Sequence, residues 1–178
     1  MPHRRLLSVA LLAASALAAT GCGTERTAQE SRPATATQTT AAAATGGALG
    51  VISKDTSKKP AIPKPAGTPP ASLVKRDIVV GKGPAAKAGD TVSVQYVGVS
   101  WSTGKEFDAS WNRGQAFSFP LGAGQVIRGW DEGVAGMKVG GRRELVIPPE
   151  LAYGPTGSPP AVGPNETLIF VVDLQKIA

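Results

Sequence analysis

The 178-residue chain is poor in the side chains that most enzymes use for chemistry. It has one histidine, His3, and one cysteine, Cys22. A Cys/His zinc site, a Ser-His-Asp triad and an internal disulfide each need more of these residues than one chain supplies. Any catalysis must therefore work with carboxylates, hydroxyls, aromatic rings or shape, and no cofactor or metal is called for. Aromatic residues are scarce at 5%, yet all three Trp, both Tyr and all four Phe fall after residue 72. The formal charge of +6 would suit a nucleic-acid partner, but the excess is misplaced for that role. From residue 72 onward eleven Lys and Arg face ten Asp and Glu, so the positive charge belongs to the first 71 residues and nucleic acid is not the expected partner.

Those first residues divide in two. Residues 1–21 read as an export signal: basic Arg4 and Arg5, an apolar stretch from Leu6 to Ala19, and small residues before Cys22. Fourteen residues are too few for a membrane-spanning helix. Ala19, Thr20 and Gly21 followed by Cys22 resemble the lipobox of bacterial lipoproteins, which implies that the Cys22 thiol carries a diacylglyceryl group and becomes the mature N-terminus. The resulting expectation is an extracytoplasmic protein, lipid-anchored to the bacterial cell membrane. Residues 22–71 are rich in Ala, Thr, Gly, Pro and Lys, with few larger apolar residues such as Leu49, Val51 and Ile62. Composition of that kind predicts a disordered tether, because too little apolar surface is available to offset the entropy of ordering.

Residues 72–178 are long enough for one core. Leu73–Val80 and Thr91–Val99 read as strands, and in the second Val92, Val94 and Tyr96 alternate with Ser93 and Gln95, which turns Tyr96 inward. Ile127, Trp130, Val134 and Met137 then recur at helical spacing, and Gly140 and Gly141 should end that helix. Arg142–Ile147 and Thr167–Ile177 return to strand, with Leu168, Phe170, Val172 and Leu174 on one side. The predicted fold class is α+β: an antiparallel sheet of five to six strands wrapped around one short helix. Between the last strands lies a loop, 154–165, of the length that usually serves function.

Nucleotide motifs fail. Leu121–Ile127 begins like a dinucleotide fingerprint but places Ile127 where the third glycine belongs, and no βαβ unit surrounds it. Asp131 and Glu132 are adjacent on the helix and face different directions, so they are expected to solvate its outer side.

Four segments carry a more specific pattern: Phe107-Asp-Ala-Ser, Phe117-Ser-Phe-Pro-Leu-Gly, Val126-Ile-Arg-Gly-Trp-Asp-Glu-Gly-Val134 and Leu151-Ala-Tyr-Gly154. Together, in order, they resemble the FK506-binding protein (FKBP) family of peptidyl-prolyl cis/trans isomerases, across 72–178. The resemblance implies an apolar pocket that receives a proline ring. Trp130 would form its floor, and Tyr96, Phe107, Phe117, Val126, Ile127 and Phe170 its walls. Tyr153 would donate its hydroxyl to the carbonyl preceding proline. Asp108 would project into the pocket beside Tyr96 and Arg113, and the loop 154–165 would overhang the groove. Asp108, Tyr153, Trp130 and Phe170 are the catalytic candidates. The implied partners are proline-containing polypeptides and FK506- or rapamycin-like macrolides, and the expected state is a monomer. Ser158, Gln125, Leu151 and Ala161 depart from common family residues at the rim.

Overall fold

A computed structural model describes residues 49–178 of the chain. Six strands form one antiparallel sheet: β1 (Val74–Val79), β2 (Thr91–Ser100), β3 (Glu106–Ala109), β4 (Phe117–Pro120), β5 (Arg142–Ile147) and β6 (Leu168–Ile177), with order β1-β5-β6-β2-β3 and β4 also paired to β2. Among the described residues one α-helix, α1 (Arg128–Val134), lies against the sheet. The fold is the expected α+β class, with the sheet at the upper strand number.

The long strand β2 organises the site. Its first half pairs with β4, from Thr91 opposite Pro120 to Val94 opposite Phe117. Its second half pairs with β3, and a bulge between Gly98 and Val99 leaves Phe107 without a direct partner. Both short strands thus share one edge of β2, and the chain between them makes a 3-10 turn, Ser110–Arg113. Ser110 is fully buried there. Its hydroxyl accepts the Tyr96 N–H at 2.8 Å and donates to Gln95 Oε1, which fastens the turn to β2.

Helix α1 is shorter than the apolar stripe suggests. It ends at Val134, because Gly136 takes φ of 77° and turns the chain away; Met137 leaves the helix but stays buried in the core. Arg143 on β5 completes the end by donating from Nη1 to the carbonyls of Gly133 and Ala135, at 2.8 and 3.2 Å. The glycines of α1 serve close approach: a Cβ on Gly133 would stand 2.7 Å from Leu145 Cδ1. Trp130 and Val134 on α1 join Val92, Val94, Tyr96, Leu145, Leu168, Phe170 and Val172 in the main core.

Residues 49–71 correct the expected tether boundary. They lie along the other face of the sheet as a strap, where Leu49 and Ile62 pack on a second apolar cluster of Val99, Trp101, Val146 and Ile169. Hydrogen bonding adds to this apolar packing. Arg142 is fully buried, grips Asp173 through Nε and Nη2 at 2.5 and 2.7 Å, and donates from its guanidinium to the carbonyls of Ser53 and Lys58 at 2.8 and 2.9 Å. Arg76 likewise bonds Glu144 at 2.6 Å and the Gly50 carbonyl at 2.8 Å. A buried ion pair is stable only when its remaining donors and acceptors are satisfied, and here backbone carbonyls of the strap satisfy them. The export signal and the first part of the tether, 1–48, lie outside the described residues.

Candidate functional site: an aromatic cavity between the sheet and the helix

Between α1, β2, β3, β4 and β6 the fold leaves a cavity of about 410 Å³, lined by Tyr96, Phe107, Asp108, Phe117, Gln125, Val126, Ile127, Trp130, Tyr153 and Phe170. Trp130 is only 4% exposed and meets Tyr96 and Phe170 nearly perpendicularly, with ring centroids at 5.0 and 5.2 Å. Edge-to-face contacts of this kind favour rings held at fixed angles over flat stacking. The Trp130 indole N–H has no hydrogen-bond partner among the described residues. Phe107 leans edge-on to Phe170, and the space for both comes from Gly98 beneath them.

One wall is polar. Arg113 Nη1 donates to Asp108 Oδ1 at 2.5 Å and its Nη2 to the Tyr96 hydroxyl at 2.9 Å, while that hydroxyl donates to Asp108 Oδ2. The three side chains make a closed ring that turns the Asp108 carboxylate toward the cavity. Burial, together with the hydrogen bond to Asp108, pushes the Tyr96 phenol up to about 12. Tyr96 thus remains a neutral donor throughout the physiological range.

Tyr153 stands at the rim, 40% exposed, just after a short 3-10 turn at Pro149–Leu151. Burial and the charge of Asp108 both raise its phenol pKa. Among the described residues its hydroxyl forms no hydrogen bond, so it is free to donate to a bound molecule.

Of the ten pocket residues read from the sequence, nine line the cavity, and Arg113 sits behind Asp108 without lining it. Cys22 lies outside the described residues. None of the residues of loop 154–165 lines the cavity. It closes on itself through the Ser158–Val162 bridge and sinks Val162 into the core.

Gln125, read from the sequence as an altered rim position, joins the lining. Sequence reasoning missed one contributor. Asp131, expected to solvate the helix, instead accepts the N–H groups of Gly122 and Gly124 at 2.8 and 3.0 Å. It thereby pins the loop that delivers Gln125, Val126 and Ile127 to the cavity. Gly122 and Gly124 both adopt positive φ, a loop shape that turns their N–H groups toward one carboxylate.

The arrangement offers an apolar cup, a free hydroxyl at its rim and a braced carboxylate. That chemistry agrees with comparisons to other proteins. Residues 83–175 match the family model described as FKBP-type peptidyl-prolyl cis-trans isomerase. The chain is 64% identical over 121 residues to an FK506-binding protein of Streptomyces anulatus, covering 67% of this chain and 98% of that protein. It is 54% identical over 117 residues to a probable FK506-binding protein of Corynebacterium glutamicum, covering 66% of this chain and 97% of that one. Among solved structures, AtFKBP13 aligns at 40% identity with a TM-score of 0.56, covering 60% of this chain and 93% of that chain. FkpA from Escherichia coli aligns at 48% identity with a TM-score of 0.54, covering 59% of this chain and 47% of that chain. With the family pattern spread over the strands, helix and rim that build the cavity, the chain belongs to the FKBP-type peptidyl-prolyl cis-trans isomerase family.

Proposed function

We propose that this protein is an exported, lipid-anchored peptidyl-prolyl cis/trans isomerase that speeds proline-limited folding of secreted polypeptides at the outer face of the cytoplasmic membrane. The observation that carries the reading is the aromatic cavity, which has a free Tyr153 hydroxyl at its rim. Rotation about an Xaa-Pro bond breaks no covalent bond. Its barrier of about 20 kcal/mol comes from amide resonance, and uncatalysed exchange takes on the order of tens of seconds. A planar amide carries charge separation that the twisted amide loses. An apolar cup floored by Trp130 and walled by Phe107, Phe117 and Phe170 therefore favours the twisted form and holds the ring while the peptide turns. Tyr153 donates to the carbonyl before proline and orients the bound peptide at the rim. Asp108, braced by Arg113 and Tyr96, supplies the polar wall beside the imide. Turnover on the millisecond scale requires lowering the barrier by roughly 5 to 6 kcal/mol.

A second reading, a module that grips proline segments or FK506-like macrolides without turning them over, uses the same cavity. An isomerisation assay on short Xaa-Pro peptides separates the two. The expected result is strong catalysis, lost in the Tyr153→Phe, Asp108→Ala double variant and blocked by FK506-like macrolides. Tight peptide binding with uncatalysed exchange rates would instead support the module. The partners in this reading are proline-containing clients and the membrane, with a monomeric protein and no nucleic acid.

A further inference from the structure

We infer that Lys59, on the strap and outside the family-matched span, is a positioning residue for the cavity: it holds β3 and the following 3-10 turn in register so that Phe107, Asp108 and Arg113 keep their places. The inference rests on the isomerase reading of the same site.

The Lys59 ammonium donates to Glu106 Oε1 and to Asn112 Oδ1, both at 2.8 Å, and Asn112 Nδ2 donates to Glu106 Oε1 at 2.8 Å. Three side chains thus close a small ring of hydrogen bonds. Glu106 immediately precedes Phe107 and Asp108, and Asn112 immediately precedes Arg113. The ring therefore ties the start of the segment that carries the polar wall to its end. This segment needs such a tie. β3 is four residues long, lies at the edge of the sheet, and is bulged where Phe107 enters the cavity. Ser110 secures its middle, and Lys59 secures its outer side.

The mount for Lys59 is itself fastened. The neighbouring Lys58 carbonyl is held by the fully buried Arg142, which is locked to Asp173. A continuous path runs from the buried ion pair, through the strap backbone, to the site wall. Hydrogen bonds from Lys59 and Asn112 outweigh the effect of burial on Glu106 and leave its carboxyl below the ordinary value, consistent with a formed ion pair. Half-exposed ion pairs of this type contribute little to global stability. The contribution of Lys59 is geometric, and small displacements at a catalytic wall are costly in rate.

The test uses the full-length chain. Lys59→Met is expected to lower kcat/KM on an Xaa-Pro peptide about tenfold with little change in Tm, and Lys59→Arg to restore most of it. A strap variant remote from the ring, Ile52→Ala at a buried position, should lower Tm and leave kcat/KM unchanged. Wild-type kcat/KM in Lys59→Met, or an equal loss in Ile52→Ala, would overturn the inference. Amide hydrogen exchange across 106–113 gives a readout independent of catalysis: faster exchange in Lys59→Met upholds the positioning role, and unchanged exchange refutes it. A wild-type protein without isomerase activity would sink the isomerase reading, and the exchange result would then decide the positioning role alone.

Discussion

Phe107 and Phe170 meet edge to face at 5.5 Å and 88° above Gly98, and a Cβ on that glycine would lie 2.7 Å from a ring carbon of each. Two walls of the cavity therefore depend on a missing side chain. Gly98→Ala is expected to push both rings into the cavity, costing about 1 to 3 kcal/mol in stability and weakening proline-peptide binding at least about tenfold. Thermal melts paired with calorimetric titration measure the two effects separately. Unchanged affinity would mean that the rings move outward instead.

Asp131 gives a second prediction. Its carboxylate is the partner of two backbone N–H groups in the loop before Gln125, and Asp131→Ala leaves them without it. The expected cost is about 1 to 3 kcal/mol, with kcat/KM falling further than Tm alone would imply. A variant that is less stable but fully active would confine Asp131 to a structural role.

The strap predicts an asymmetric pair of variants. Arg142→Met strands the buried Asp173 carboxylate and should cost about 3 to 5 kcal/mol in urea denaturation. Replacing both partners, Arg142→Met with Asp173→Leu, should recover much of that loss, because no charge is left buried alone. Equal destabilisation in the single and double variants would show that the strap carbonyls, rather than the ion pair, dominate.

Acid titration offers a fourth. The Glu106 carboxyl is pushed up by burial but pulled further down by Lys59 and Asn112, so its folded pKa lies below the ordinary 4.5. The stability it contributes is therefore complete above 4.5 and lost as pH falls through the lower folded value. Glu106→Gln should lose that contribution in the neutral region and flatten the acid part of the stability curve, with the two proteins converging once Glu106 is protonated. Identical acid slopes in the two proteins would count against the pairing.

The proposed anchor is tested by fractionation. Cys22→Ala is expected to release the protein from membranes into the medium. Membrane retention of the variant would remove the lipid anchor from the proposal.

Much of the cavity was legible because it follows from short-range rules. Alternation along β2 placed Tyr96 inward, the three- and four-residue spacing placed Trp130 and Val134 toward the sheet, and four ordered motifs supplied the rest of the walls. The helix end was misplaced because Gly136 already turns the chain, ahead of the glycine pair that composition highlights. The strap was missed for a different reason. Residues 49–71 hold their place through carbonyls of Gly50, Ser53, Lys58 and Gly67, and a backbone acceptor leaves no trace in composition. The available signal lay elsewhere, in β6: Leu168-Ile-Phe-Val-Val172 is apolar at every position, as a strand covered on both faces must be. An alternating strand would have left one side to solvent. Asp131 was missed because a carboxylate at the start of a helix has solvent as its default partner, and only the shape of the preceding loop supplies another.

Trp101 lies beneath the strap and donates its indole N–H to the Gly67 carbonyl at 3.4 Å, while Trp130 lines the cavity on the opposite face of the sheet. The two chromophores consequently report on different events in one molecule. Lifting the strap would hydrate Trp101 and redden its emission, whereas an occupant of the cavity would perturb Trp130, so single-tryptophan versions of the chain would let optical spectroscopy watch each process without an added label.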